Sequence, residues 1–173
     1  VIADMDTITK IESGNLKLNL KRISLFELIK NIILELEDLA DSQELKLVLE
    51  KSAVAEIFVI ADKIKLEQII TNLLSNSIYY GKKGGKTVIS AKEMAKGKVL
   101  VSVEDNGVGI AREHLPRLFE RFYRVEKSRD RNQGGSGIGL AIVKHIVEAH
   151  NQKITVASEP NQGTTFSFTL ERG

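Results

Sequence analysis

The run Val99-Leu-Val-Ser-Val-Glu-Asp-Asn-Gly-Val-Gly109 alternates its side chains and then stops at an acid followed by glycines. Successive residues of a strand point to opposite faces, so Val99, Val101, Val103 and Asp105 share one face. The valines mark that face as the core side, which aims the Asp105 carboxylate toward the interior. A buried carboxylate is costly unless fixed donors satisfy its lone pairs. Gly107 and Gly109 would let the backbone bend away, leaving room in front of the acid for a planar ligand with an exocyclic amine. A solvent-facing Asp-Asn-Gly turn is the other reading.

Outward from this strand the pattern is mixed. Residues 87–94 form a second strand candidate, joined to residues 98–105 by a turn at Lys96-Gly97. Ser24 and Glu27 make a capping box that opens a helix carrying Leu25, Ile29, Ile32, Leu36 and Leu39 on one stripe. Asp62 caps a second long helix with Leu66, Ile69, Ile70, Leu73 and Ser77 on its buried side. A third helix covers about 137–150, with Asn151 suited to a left-handed cap. "LKLNLKRI", "LKLVLE" and "IFVIA" read as strands, and "KITVAS" and "TTFSFTLE" as a closing hairpin. Strands and helices do not alternate as β-α-β units. The expected class is an α/β (α+β) two-layer sandwich, a mixed sheet covered on one face by about three helices.

With 173 residues, 42% of them hydrophobic, the chain can bury one substantial core. Its apolar runs are too short to cross a bilayer, and no signal-peptide pattern opens it. Cysteine is absent, which excludes disulfides and thiolate metal sites. A net charge of +2 gives no argument for nucleic acid. Val1, Met5, Ile8 and Ile11 lie on one helical stripe ended by Gly14, so the chain reads as starting inside a helix of something longer.

Two further segments depart from ordinary structure. Asn72-Leu-Leu-Ser-Asn76 places two asparagines on one helical face beside the apolar stripe. Asparagine disfavours helix interiors, yet its carbonyl oxygen can serve a hard metal ion directly or through water; capping a core edge is the plain alternative. Gly134-Gly-Ser-Gly-Ile-Gly-Leu140 runs directly into a helix, where backbone N–H groups and the helix dipole favour an anion. It is not a Rossmann fingerprint, which would require glycine at 140. "GKKGGKT" at 81–87 imitates a P-loop, but the first glycine would have to be residue 80, which is Tyr80.

Taken in order, "NLLSN", "DNGVGI", "LFERFYR", "GGSGIGLAIVK" and "GTTFSF" resemble the ATP-binding catalytic domain of sensor histidine kinases. The resemblance covers residues 15–173 and implies a Bergerat-type ATP-binding fold; residues 1–14 resemble the end of the dimerization hairpin. It implies ATP and Mg²⁺ as cofactors. Asp105 would accept from the adenine amine, with Gly107, Gly109 and Ile110 shaping the pocket. Asn76 with Asn72 would hold the metal, and Asn76 and Arg124 would be the catalytic residues. Tyr79, Tyr80 and Thr165 are expected at the nucleotide, and Phe119 and Phe122 beside a mobile lid. Gly135, Ser136, Gly137, Ile138, Gly139 and Leu140 would meet the triphosphate, and Arg124 and Lys127 its oxygens. The implied partners are the chain's own phosphoacceptor hairpin, a second copy in a homodimer, and a response regulator. The implied location is the cytoplasmic side of a parent anchored in the inner membrane.

Tyr79 departs from the family, which usually has lysine there, and Lys82 or Lys83 is a candidate replacement. His114, His145 and His150 are not in phosphoacceptor contexts, so the chain is expected not to phosphorylate itself. The competing readings are a related ATPase, which usually carries a glutamate base where this chain has Asn72, and a binding module without transfer. The charged residues 120–133 are expected to order on nucleotide binding.

Overall fold

The computed structural model describes residues 16–50, 56–123 and 139–173. The expected helix over 1–13, and the domain boundary after it, lie outside the described residues.

The elements are β1 (Leu20–Ser24), α1 (Leu25–Ser42), β2 (Lys46–Leu49), β3 (Phe58–Asp62), α2 (Lys63–Tyr80), β4 (Lys86–Met94), β5 (Lys98–Asp105), α3 (Gly139–Ala149), β6 (Ile154–Glu159) and β7 (Gly163–Arg172). Short 3-10 segments occupy Ala95–Gly97 and Arg112–Arg117. The strands form one sheet in the order β1-β3-β7-β5-β4-β2, with β6 also paired to β7. Strand β7 carries β5 along one edge, and β6 and then β3 along the other. The β2–β4 pair is parallel and the others are antiparallel, so the sheet is mixed as expected.

One apolar layer joins the helices to the sheet. Leu66, Ile69, Ile70 and Leu73 of α2, Ile142 and Ile146 of α3, and Leu25 and Ile29 of α1 are all fully buried with the inward residues of the strands. Those strand residues sit in register: Ala91, Val101, Phe168 and Ile154 form one rung across four strands, and Ile89, Val103, Phe166 and Val156 the next. The reverse face carries Ser102 and Ser167, whose hydroxyls bond at 3.0 Å. This is the two-layer sandwich that the alternation anticipates.

The helix caps follow the sequence signals. Ser24 Oγ accepts from Glu27 N–H at 3.4 Å, and Asp62 Oδ1 from Lys65 N–H at 3.1 Å. Asn151 takes φ 58°, the left-handed cap. The hairpin turn at Lys96-Gly97 has φ 63° and 69°, both positive, matching the twist of β4 and β5. The amino-terminal strand differs from its sequence reading. It starts at Leu20, which is 54% exposed, and Ile23 is its core residue. Strand β1 lies at the sheet margin and pairs with β3; Leu16 and Leu18, ahead of it, are half-buried and alternate with exposed Lys17 and Asn19.

Candidate functional site

Two rungs of aliphatic and aromatic side chains are followed, at the end of β5, by a polar one. Asp105 pairs with Thr87 of β4 on one side and Thr164 of β7 on the other, and Thr164 pairs with Ser158 of β6. Alternation puts all four on the core face. Thr87 is 1% exposed and Thr164 6%, and Asp105 is half-buried. Burial pushes the Asp105 carboxyl above the ordinary aspartate range, the backbone N–H groups of Gly107 and Thr164 pull it back, and neighbouring Glu104 adds a smaller upward push. The Gly107 N–H donates to Asp105 Oδ1 at 2.9 Å. This is the interior acceptor of the two readings of Asp-Asn-Gly.

The glycines serve close packing rather than open space. A side chain on Gly107 would meet Asp105 Oδ1 at 2.9 Å and the Tyr80 carbonyl at 3.1 Å. Gly109 has φ 73°, and a Cβ there would collide with the Glu159 carbonyl. Gly163 is likewise pressed onto the Asp105 backbone. Ile110 is half-buried, and its N–H donates to Ser158 Oγ at 2.8 Å.

Helix α2 runs from this rung to a second centre. Its carboxyl end, at Tyr80, lies against Gly107. Two turns earlier, Asn72 Nδ2 reaches the Gly139 carbonyl at 3.5 Å, at the start of α3. The chain positions 72 and 139 are thus brought together, as their motifs required. Asn72 and Asn76 are half-buried and lie on one face of α2. With its nitrogen turned to Gly139, Asn72 has its oxygen left for a cation or a water. Among the described residues there is no cluster of three or more His, Cys, Asp or Glu that could hold a metal. Amide oxygens suit a hard cation that shares its shell with phosphates, so the donor set fits magnesium.

The remaining sequence candidates fall as follows. Tyr79 and Tyr80 are exposed at the end of α2, 38% and 37%. Phe119 packs edge-on against Phe166, with ring centroids 6.2 Å apart, whereas Phe122 is 65% exposed at φ 61°. Leu140 packs against the main core. Thr165 pairs with Glu104, so its side chain lies on the reverse face; a one-residue step in register makes Thr164 the residue beside Asp105. Arg124, Lys127, Gly135, Ser136, Gly137 and Ile138 lie outside the described residues, as does most of the segment 120–133.

Sequence reasoning missed the hydroxyls. Thr87 Oγ1 donates to Ser77 Oγ at 3.0 Å, and Ser77 donates to the Leu74 carbonyl at 2.8 Å. The signal was present in the alternation of β4, where Thr87 falls in phase with core residues Ile89 and Ala91. The lysine turn has its own contacts. Lys83 Nζ pairs with Glu44 at 3.0 Å, and the Asn106 side chain receives the Lys86 N–H at 2.8 Å. These bonds pin residues 81–86 beside the Asp105 loop, at the opposite end of α2 from Asn72.

A family profile described as histidine kinase-, DNA gyrase B- and HSP90-like ATPase matches residues 61–173. The chain belongs to that family. Sensor histidine kinases are among its relatives within that family. The chain is 39% identical over 172 residues to the sensor histidine kinase CusS of Escherichia coli (strain K12), covering 98% of this chain and 34% of that protein. Against the sensor histidine kinase YkoH of Bacillus subtilis (strain 168) it is 35% identical over 160 residues, covering 91% of this chain and 34% of that protein. The solved catalytic domain of histidine kinase ThkA superposes with a TM-score of 0.77 at 28% identity, covering 90% of this chain and 97% of that one. The chain is therefore a histidine kinase catalytic ATP-binding domain, and it spans about a third of the length of the curated relatives it matches. In this kinase domain no described helix is long and apolar enough to cross a membrane. Two of its three histidines are engaged internally: His150 accepts from Asp62 N–H at 3.1 Å and bonds the Ile146 carbonyl at 2.8 Å, and His114 bonds Tyr123.

Proposed function

We propose that the kinase domain holds Mg-ATP along α2, purine at Asp105 and phosphates at the Asn72–Gly139 end, and donates the γ-phosphoryl group to a histidine on a dimerization hairpin of the same parent protein. The carrying observation is the spacing of two chemically different centres on one helix. Tyr80 touches the acid's loop and Asn72 touches the start of α3; eight residues of helix separate them by about 12 Å. A nucleoside triphosphate is long enough to bridge that distance.

Each group has a distinct task. Asp105, with its fixed backbone donors, accepts the exocyclic amine, and Gly107 keeps the wall behind it thin. The Thr164 backbone N–H holds the carboxylate in place; Thr164, not Thr165, is the threonine assigned to the purine. Asn72 and Asn76 would hold the magnesium ion, which supplies charge neutralisation at the phosphates when bound. The start of α3 at Gly139, with the glycines before it and with Arg124 and Lys127, would embrace the phosphate oxygens. Phosphoryl transfer needs positioning and charge neutralisation more than covalent chemistry, so this inventory suffices for a donor.

Asn72 also bears on the competing hydrolase reading. An amide cannot take a proton from water at neutral pH, and this one is already engaged with Gly139. The domain is accordingly assigned to holding ATP for an external acceptor, with a response regulator receiver as the next station, a homodimeric parent and a membrane anchor outside this chain. Phosphotransfer is tested by mixing the domain with a separately expressed hairpin and following labelled γ-phosphate. Labelled hairpin is expected, with no label on the domain alone; rapid ATP hydrolysis without transfer would reverse the assignment.

A further inference from the structure

Helices α2 and α3 lie against each other, and Leu66, Ile69, Ile70 and Leu73 of the first are buried in one cluster with Ile142, Val143, Ile146 and Val147 of the second. Two polar ties join the helices, one at each end of this apolar seam. At the phosphate end, Asn72 Nδ2 donates to the Gly139 carbonyl at 3.5 Å. At the far end, the Asp62 N–H donates to His150 Nε2 at 3.1 Å. The ties enclose about 15 Å of α2 and about 16 Å of α3, so nearly the same length of each helix is held between them. Gly139 and His150 lie about three turns apart and share a face of α3.

The proton of the far tie is fixed by its partners. The Ile146 carbonyl can only accept, so His150 Nδ1, 2.8 Å from it, carries the ring proton, and Nε2 meets the Asp62 N–H with its lone pair. The Asp62 carboxylate is engaged elsewhere: Oδ1 caps α2 through the Lys65 N–H, and Oδ2 accepts the Asn19 N–H at 2.9 Å. Closing the end of α3 uses only the Nδ1 side of the ring, and a lysine would serve as well there. The Nε2 side is spent on the other helix. Asp62 is 8% exposed, and a buried N–H without an acceptor is costly.

The purine half of α2 is anchored without α3. The Ser77–Thr87 bond ties it to β4, and the Tyr80 carbonyl lies against Gly107. The seam between the two ties is apolar, and apolar contact is non-directional, so it resists sliding weakly. One residue of slip would carry Gly139 about 1.5 Å past Asn72. Given the phosphates at the Asn72–Gly139 end, an assignment on which this rests, we infer that His150 is a positioning residue for the triphosphate. By accepting the Asp62 N–H, its Nε2 sets the register of α3 along α2, and so sets where the start of α3 meets the Asn72 and Asn76 amides. Phosphate and magnesium binding depend on this tie; purine binding does not.

The test measures dissociation constants of Mg-ATP and of adenosine for wild type, His150→Leu, His150→Gln, Asn72→Ala and the double variant of leucine and alanine, at a temperature where melting curves show each one folded. His150→Leu is expected to weaken Mg-ATP about tenfold, the scale of one hydrogen bond at the phosphates, and adenosine by less than about twofold. His150→Gln, whose Oε1 can accept the Asp62 N–H in place of Nε2, should stay within about threefold of wild type. In the Asn72→Ala background the leucine should add about threefold or less, because part of the contact it misplaces is already gone. Wild type gives a reading that needs no variant: Mg-ATP should slow amide hydrogen exchange at Asp62 and adenosine should not, since coupling between two sites is reciprocal. The inference is overturned if His150→Leu weakens both ligands alike or neither, if glutamine fares no better than leucine, if the two substitutions multiply in full, or if exchange at Asp62 responds equally to both ligands. Where His150→Leu does not fold, the glutamine variant and the exchange experiment decide. An Asn72→Ala domain that binds Mg-ATP as wild type does overturns the phosphate assignment itself, whatever His150 does.

Discussion

Replacing Asp105 by asparagine separates affinity from stability, because the account gives the two effects opposite signs. The carboxylate is half-buried, and burial raises its pKa more than its backbone donors lower it. Its folded pKa thus lies above its unfolded one. For such an acid the associated stability is present below the unfolded pKa and is lost as pH rises through the folded pKa. At neutral pH the empty domain carries the cost of an ionised Asp105, and Asp105→Asn relieves it. The asparagine oxygen still accepts the Gly107 N–H that now reaches Oδ1 at 2.9 Å. Its NH₂, however, turns a donor toward the purine amine. Loss of a charge-assisted hydrogen bond costs about 1.5–3 kcal/mol, which is about 10- to 150-fold in affinity. Calorimetric titration with a nonhydrolysable ATP analogue, paired with thermal melting of the empty protein at pH 7, gives both quantities. The expected variant binds at least tenfold more weakly and melts no lower than wild type. Lowering the pH toward the folded pKa should weaken nucleotide binding to wild type, as the acid gains a proton, and leave the variant flat. Undiminished affinity, or a melting temperature several degrees below wild type, would refute the reasoning.

Asn76→Ala should weaken Mg-ATP about tenfold while leaving adenosine within about twofold, since only the phosphate end loses a ligand; titrations of both ligands, with and without magnesium, check this. Gly109→Ala is expected to destabilise by more than about 1–3 kcal/mol, because φ 73° is unfavourable and the added carbon meets the Glu159 carbonyl; urea unfolding measures it. Lys83→Ala removes an ion pair whose side chains are 81% and 57% exposed, so stability should change by under about 1 kcal/mol. Nucleotide affinity should not change, because the Lys83 ammonium is held by Glu44.

Much of the site was legible because period and register coincide. The two-residue repeat of β5 put Asp105 in phase with three core valines, and the structure keeps that phase across β4, β7 and β6. Caps at Ser24 and Asp62 were legible because they are local. The sequence could not give pairings between strands, and the errors fall there. Thr165 is the threonine expected at the nucleotide from sequence, and only the β5–β7 register shows that Thr164 is the one sharing the face of Asp105. The roles of Ser77 and Thr87 need contact between a helix and a strand whose order in the sheet is not written in either. Leu20 reads as core by alternation, but its strand lies at the sheet margin. The contacts of the 81–87 turn were also beyond the sequence: only the fold pairs Lys83 with Glu44 and ties the Lys86 N–H to the Asn106 side chain.

The most direct measurement is the separation between the purine exocyclic nitrogen and the Asp105 carboxylate in a crystal of the domain with magnesium and a nonhydrolysable ATP analogue. The account predicts a hydrogen bond of about 2.7–3.2 Å, with the phosphates at Asn72, Asn76 and the start of α3. A purine bound away from Asp105, or one whose amine faces solvent while the acid stays unengaged, would contradict it.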